Sequence, residues 1–137
     1  MVQAKQLASV YERLDHFYFT FAGGVADEMK KTSHLRTIPN IIRQNPISWI
    51  VGAVLSAKAV LEERPGVVIT TGAGTVVFFC IFAKLLGAKL IFVESMACSE
   101  RPTLTGRFLY PFADLFIVQW PNLRKYFPRA RFAGRLM

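Results

Sequence analysis

Between Val67 and Ala83 the chain runs 17 residues without a charge, bounded by Arg64 and Lys84. Such a stretch either crosses a bilayer or is buried in a protein interior. Its length is at the lower end for a transmembrane helix, and its internal pattern points to burial. Val67, Val68 and Ile69 are β-branched and favour a strand. Gly72-Ala73-Gly74 would weaken a helix near its middle. The same pattern then recurs, with "AKLIFVES" and "ADLFIVQW" as two more short apolar runs ending in polar residues. Apolar runs separated by helical stretches read as βαβ units with a parallel sheet, and strands covered on both faces are continuously apolar. The expected fold class is therefore α/β with a Rossmann-like parallel sheet. A membrane span over Val67 to Ala83 stands as the alternative.

The remaining elements follow from punctuation and periodicity. Leu7, Val10 and Leu14 share a face, which predicts a helix over Val2 to Leu14. "HFYFTF" (His16 to Phe21) reads as a strand stopped by Gly23-Gly24. Val25 to Asn45 has weak periodicity and reads as a loop with at most one helical turn. Pro46 suits a first helical turn, and a helix from there to Glu63 would turn Ile47, Ile50, Val51, Val54, Leu55 and Leu61 inward. Pro65-Gly66 ends it. A strand over Val67 to Thr71, a turn over Gly72 to Thr75 and a helix over Thr75 to Leu86 come next, with Gly87 as the C′ glycine. Strands at Lys89 to Val93, Leu115 to Gln119 and Arg131 to Gly134 alternate with a short helix at Leu104 to Phe112 and a helical turn at Pro121 to Tyr126. Residues 1–137 read as one domain with four or five parallel strands. A sheet of this type usually opens with a strand and a glycine-rich turn. This chain opens with a helical pattern instead, as if its first strand were missing.

Charge and cysteine usage narrow the function. The net charge is +8 and hydrophobic residues make up 53%. A basic, apolar chain is drawn to anionic lipid, phosphorylated substrates or nucleic acid, and no recognised nucleic-acid motif is present. The two cysteines, Cys80 and Cys98, have no metal-ligand spacing, and His16 and His34 stand apart from any cluster, so neither metal nor cofactor is expected. The amino terminus has no signal-peptide core.

Candidate site residues lie where parallel strands end, because ligands bind beyond the carboxyl ends of such sheets. Gly72, Gly74 and Thr75 form a turn entering a helix, which either contacts a phosphate or sugar or is only a tight turn. Glu94 and Ser95 follow an apolar strand. A carboxylate there bonds sugar hydroxyls, serves as a base or caps the next turn. Thr105, Gly106, Arg101 and Arg107 lie in a basic, aromatic stretch that suits a membrane surface or lipid phosphate, or else a solvated helix with one buried face. Gln119 and Trp120 end another strand. Arg101, Arg107, Arg124, Lys125, Arg129, Arg131 and Arg135 explain much of the net charge. No residue is assigned a catalytic role.

In order along the chain, "ITTGAGT", "FVES", "LTGRFLY" and "ADLFIVQW" closely resemble the PssD-type oligosaccharide biosynthesis proteins, relatives of the membrane-recruiting subunit of dolichyl-diphosphate N-acetylglucosamine transferase. "RLDHFYFTF" and "EERPGVVITTG" extend the match more loosely. The resemblance implies the amino-terminal half of a GT-B glycosyltransferase, split into its own polypeptide. It implies a partner subunit that binds the nucleotide sugar, a UDP-sugar. This half would take the lipid-linked acceptor and hold the complex at the cytoplasmic face of a membrane as a peripheral protein, on the inner membrane in a bacterium or the endoplasmic reticulum in a eukaryote. Gln119 and Trp120 join the site by the same resemblance. The family's opening strand and Gly-Gly-His loop have no counterpart before Val2, and the histidine of that loop does not map onto His16 or His34. Two functional readings result: a glycosyltransferase subunit inactive alone, or a non-enzymatic scaffold of the same fold.

Overall fold

The computed structural model describes residues 13–21, 34–39 and 44–134. Two parallel sheets organise them. Strand β1 (Tyr18–Phe21) pairs with β2 (Leu35–Ile38), and β3 (Val67–Thr70), β4 (Lys89–Val93), β5 (Leu115–Val118) and β6 (Arg131–Phe132) form a four-stranded sheet in that order. Every pairing is parallel. The α/β class read from the sequence holds. β2 is a correction, because it lies inside the segment expected to be a loop. Its run Leu-Arg-Thr-Ile is short and charged, and tertiary contacts hold it. Arg36 bonds Glu63 at 2.8 Å and Glu62 at 2.9 Å, tying the strand to the end of the following helix. The helix expected over Val2 to Leu14 lies outside the described residues, except for Arg13 and Leu14.

Helix α1 (Pro46–Glu63) begins and ends where its punctuation predicts. Asn45 accepts the Ile47 N–H at 3.0 Å as N-cap, and Pro46 occupies the first turn. Arg64 closes it in the left-handed region at φ 44°, a conformation few side chains adopt. The buried face is the reverse of the one expected. Gly52, Ser56, Ala59 and Val60 are buried, while Ile47, Ile50, Val51, Val54 and Leu61 are exposed. The helix is apolar on both sides, and its small residues allow the close approach to α2 (Val77–Leu85) and β2. Apart from buried Val60 and half-buried Leu55, the large aliphatic residues lie off that seam and face outward.

The stretch that opened the question is a strand, a turn and a helix. After β3, Gly74–Val76 forms a 3-10 turn that leads into α2. The α-helical part starts at Val77 rather than Thr75. Gly87 (φ 92°) ends it with paired bonds, Gly87 N–H to Lys84 O and Ala88 N–H to Ala83 O, both 3.0 Å, the Schellman pattern. Among the described residues no helix is long and apolar enough to cross a membrane. Helix α3 (Leu104–Leu109) passes into a 3-10 turn at Tyr110–Phe112, where Pro111 cannot donate to the ladder.

One core cluster joins both sheets. Phe92, Leu90, Val118, Leu109, Leu123 and Phe127 are essentially inaccessible. Phe92 stacks on Phe116 at 4.8 Å, and Phe116 meets Phe127 at 4.4 Å. On the other side Phe19 of β1 stacks on Phe79 of α2 at 4.2 Å. β1 and β3 are not hydrogen-bonded to each other. A largely apolar groove separates them, lined by Phe17 to Thr20 on one wall and Val67 to Thr71 on the other, with Val76, Phe79 and Cys80 beneath.

Candidate functional site at the carboxyl edge of the sheet

The pairing register brings the polar strand ends together. Thr70 lies opposite Phe92, and Val93 opposite Ile117. The residues that follow therefore emerge along one edge: Thr71 to Thr75, Glu94-Ser95 and Gln119-Trp120. This is the convergence expected from the parallel reading.

Glu94 is the centre of the arrangement. It has no accessible surface, and its backbone N–H still bonds Ile117 O at 2.8 Å as an extension of the ladder. Oε1 accepts the Ser95 N–H at 3.0 Å, so the capping reading holds for that oxygen. Oε2 has no partner. Gly106 of α3 sits directly over it, and a Cβ there would run into Oε2. A buried, unpaired carboxylate oxygen is costly unless a ligand, water or proton answers it. Gln119 is also buried and donates from Nε2 to Glu94 O at 3.0 Å. Trp120 donates from Nε1 to Met96 O at 2.9 Å. The Ser95 hydroxyl accepts the Ala97 N–H at 3.3 Å. These bonds clamp the loop after β4 onto the end of β5. As placed, Ser95, Gln119 and Trp120 organise the edge.

The turn after β3 completes that edge. Gly72 has φ 81°, and a Cβ on it would lie 2.9 Å from Phe92 Cζ, so glycine is required there twice over. Gly74 is exposed with open space around it and carries no such demand. Thr75 is buried with its hydroxyl unpartnered. Helix α3 is capped by Thr103, whose Oγ1 accepts the Gly106 N–H at 2.9 Å. Thr105 is half-buried on that helix, and Arg101 and Arg107 are exposed at and before it.

Other groups lie away from the edge. Burial pushes the Cys80 thiol up to about 12, and burial also raises Cys98 with Glu94 adding to it, so neither is poised as a thiolate. No group of metal-ligating side chains is present among the described residues. The sequence reading did not identify Thr103 as a helix cap, visible as the start of a Thr-x-x-Gly pattern, and missed Asp114. Asp114 bonds Lys84 Nζ at 2.6 Å and the Leu90 N–H at 2.7 Å. Its bond to Lys84 holds its carboxyl below the usual range. It braces the opposite end of the sheet.

Comparisons with known proteins bear on this geometry. A family model described as "Oligosaccharide biosynthesis protein Alg14 like" matches residues 20–136. The chain belongs to the Alg14 family. It is 36% identical over 119 residues to a UDP-N-acetylglucosamine transferase subunit ALG14 of Yarrowia lipolytica, covering 78% of this chain and 55% of that protein. It is 34% identical over 116 residues to the Mus musculus protein of the same name, covering 76% and 54%. The chain thus spans about half the length of these relatives. In fold it resembles the crystal structure of Acinetobacter baumannii MurG at TM-score 0.71 and 16% identity, covering 88% of this chain and 37% of that one. The suspected family and the GT-B-type fold are both borne out.

Proposed function

We propose that this chain is the acceptor-side, membrane-recruiting subunit of a two-component glycosyltransferase. It works with a catalytic subunit that binds a UDP-sugar, and together they transfer that sugar to a lipid-linked acceptor. The observation that carries this reading is the match, over about three quarters of the chain, to proteins named as subunits of a UDP-N-acetylglucosamine transferase. The polar edge is consistent with it. Glu94 Oε2 and Thr75 Oγ1 are buried acceptors without partners beside the turn after β3, a suitable wall for a hydroxylated or phosphorylated acceptor once a second half closes the cleft. Gly72, Gly74, Ser95, Thr105, Gly106, Gln119 and Trp120 shape that wall. Arg101 and Arg107 face outward, where a lipid phosphate or anionic headgroup would meet them.

Residues 1–137 act as one domain in this reading, peripheral to the cytoplasmic face of the membrane. The exposed stripe Ile47, Ile50, Val51, Val54 and Leu61 on α1 supplies an apolar contact for lipid or partner. The scaffold alternative has one observation in its favour, the open groove between β1 and β3.

The test is transfer of labelled N-acetylglucosamine from its UDP form in membranes. This chain and its catalytic partner are supplied singly and together. Transfer requiring both is the expected result. Transfer by this chain alone, or none from an assembled pair, refutes the reading.

A further inference from the structure

Helix α3 is firmly fastened at one end. At its carboxyl end Leu109 has no accessible surface, and the Tyr110 ring packs against Phe116 at 5.1 Å and Phe127 at 4.8 Å. The Tyr110 hydroxyl accepts the Arg129 N–H at 2.7 Å. The amino-terminal end is bonded to itself: Thr103 Oγ1 accepts the Gly106 N–H at 2.9 Å, and Thr103 O accepts the Arg107 N–H at 3.0 Å. Among the described residues, the side chains of Arg101, Thr105 and Arg107 make no hydrogen bond or ion pair. Arg101, Leu104 and Arg107 are exposed. This end rests on Glu94 through Gly106. A helix of six residues is marginal on its own, so what lies beneath it decides how firmly its first turn stays down.

What lies beneath it is unfavourable. Glu94 is fully buried, with Oε1 answered by the Ser95 N–H and Oε2 by no partner. An unpaired oxygen of an ionisable group is penalised more heavily than a neutral one when water is excluded. Gly106 excludes that water. Its backbone lies so close that a Cβ would meet Oε2, Glu94 Cδ at 3.2 Å and Thr103 Oγ1 at 2.9 Å. Unwinding the first turn would hydrate Oε2 without disturbing Leu109 or Tyr110. On the other side Trp120 holds Met96 O at 2.9 Å, so the piece that moves is bounded by two fixed points. Openings of this kind occur where a segment has few buried contacts.

We propose that the first turn of α3 is a cover over Glu94. It unwinds from Thr103 as far as Arg107, and the open form presents Oε2 to a hydroxyl or N–H donor of a bound ligand. A ligand that supplies this donor bonds an oxygen unanswered in the closed form, and so favours the open form. Naming that ligand as the lipid-linked acceptor rests on the proposed function; the cover itself does not.

The test labels carboxylates of the full chain with a carbodiimide and glycinamide, read by peptide mass spectrometry, beside residue-resolved amide exchange. Glu94 should label more slowly than exposed Glu100, yet faster than global unfolding allows. Gly106 and Arg107 should be protected about tenfold less than Ala113, whose N–H bonds Leu109 O beyond the cover. Gly106→Ala should raise Glu94 labelling and Arg107 exchange about tenfold, with Ala113 unchanged. Glu94→Met, which removes the unpaired oxygen at similar size, should slow exchange at Gly106 and Arg107 about tenfold. Membranes holding the partner and acceptor of the transfer assay should suppress Glu94 labelling. Equal protection of Gly106, Arg107 and Ala113 overturns the proposal. So does Glu94 labelling only in step with Ala113 exchange, or no slowing by Glu94→Met. Transfer without suppressed labelling overturns the ligand at Oε2. If the pair transfers nothing, the subunit reading fails, and the free-chain measurements still decide the cover.

Discussion

Gly106→Ala isolates the contact at the heart of the site. The added methyl would run into Glu94 Oε2 and lie 2.9 Å from Thr103 Oγ1, the cap of α3. On helix propensity alone the change stabilises by about 1 kcal/mol. Overpacking against a fully buried carboxylate costs about 1–3 kcal/mol, and displacing the cap costs about 1 kcal/mol more. The net expectation is a loss of about 1–3 kcal/mol. Urea unfolding measures it as a fall in midpoint of roughly 0.5–1.5 M at an unchanged slope near 2 kcal/mol/M. Glu94→Ala in the same chain removes the obstruction, so the double variant should be less destabilised than the sum of the singles by about 1 kcal/mol or more. A stabilised Gly106→Ala, or strict additivity with Glu94→Ala, would refute the close contact between α3 and the end of β4.

Three further expectations use other parts of the molecule. Val54→Glu on the exposed face of α1 should change stability by less than about 0.5 kcal/mol, whereas Val60→Ala on the seam should cost about 2 kcal/mol; denaturant midpoints decide which face is buried. Lys84 lowers the Asp114 pKa, so the unfolded chain binds that proton more readily. The pair's stabilisation is complete above the ordinary carboxylate range near about pH 4 and is lost as pH falls through the lower folded value. Asp114→Asn should flatten that acid limb in a pH series of unfolding curves. At neutral pH a maleimide should modify Cys98 well before Cys80, whose burial raises its thiol to about 12; mass spectrometry of the labelled chain reads the order.

The elements with local signals were legible. Asn45-Pro46 and Pro65-Gly66 bracket α1 because caps and breakers act within a few residues, and Gly87 marks the end of α2 for the same reason. The polar strand ends at Glu94-Ser95 and Gln119-Trp120 could be placed because strands buried on both faces end abruptly in polar residues. What the sequence did not convey is set by tertiary contact. β2 is held by ion pairs from Arg36 to Glu62 and Glu63, 26 and 27 positions away. The orientation of α1 depends on how closely α2 approaches, and residue size within an all-apolar helix does not report that distance. The unpaired state of Glu94 Oε2 likewise arises from α3, which brings Gly106 over a residue 12 positions earlier.

The most direct measurement is residue-resolved amide exchange of this chain, free and mixed with the UDP-sugar-binding subunit proposed as its partner. If the carboxyl edge is the cleft wall that the second subunit closes, exchange should slow at Gly72 to Thr75, Ser95 to Ala97 and around Trp120. Protection confined to α1 or to the Asp114 end, with that edge unchanged, would contradict the assignment.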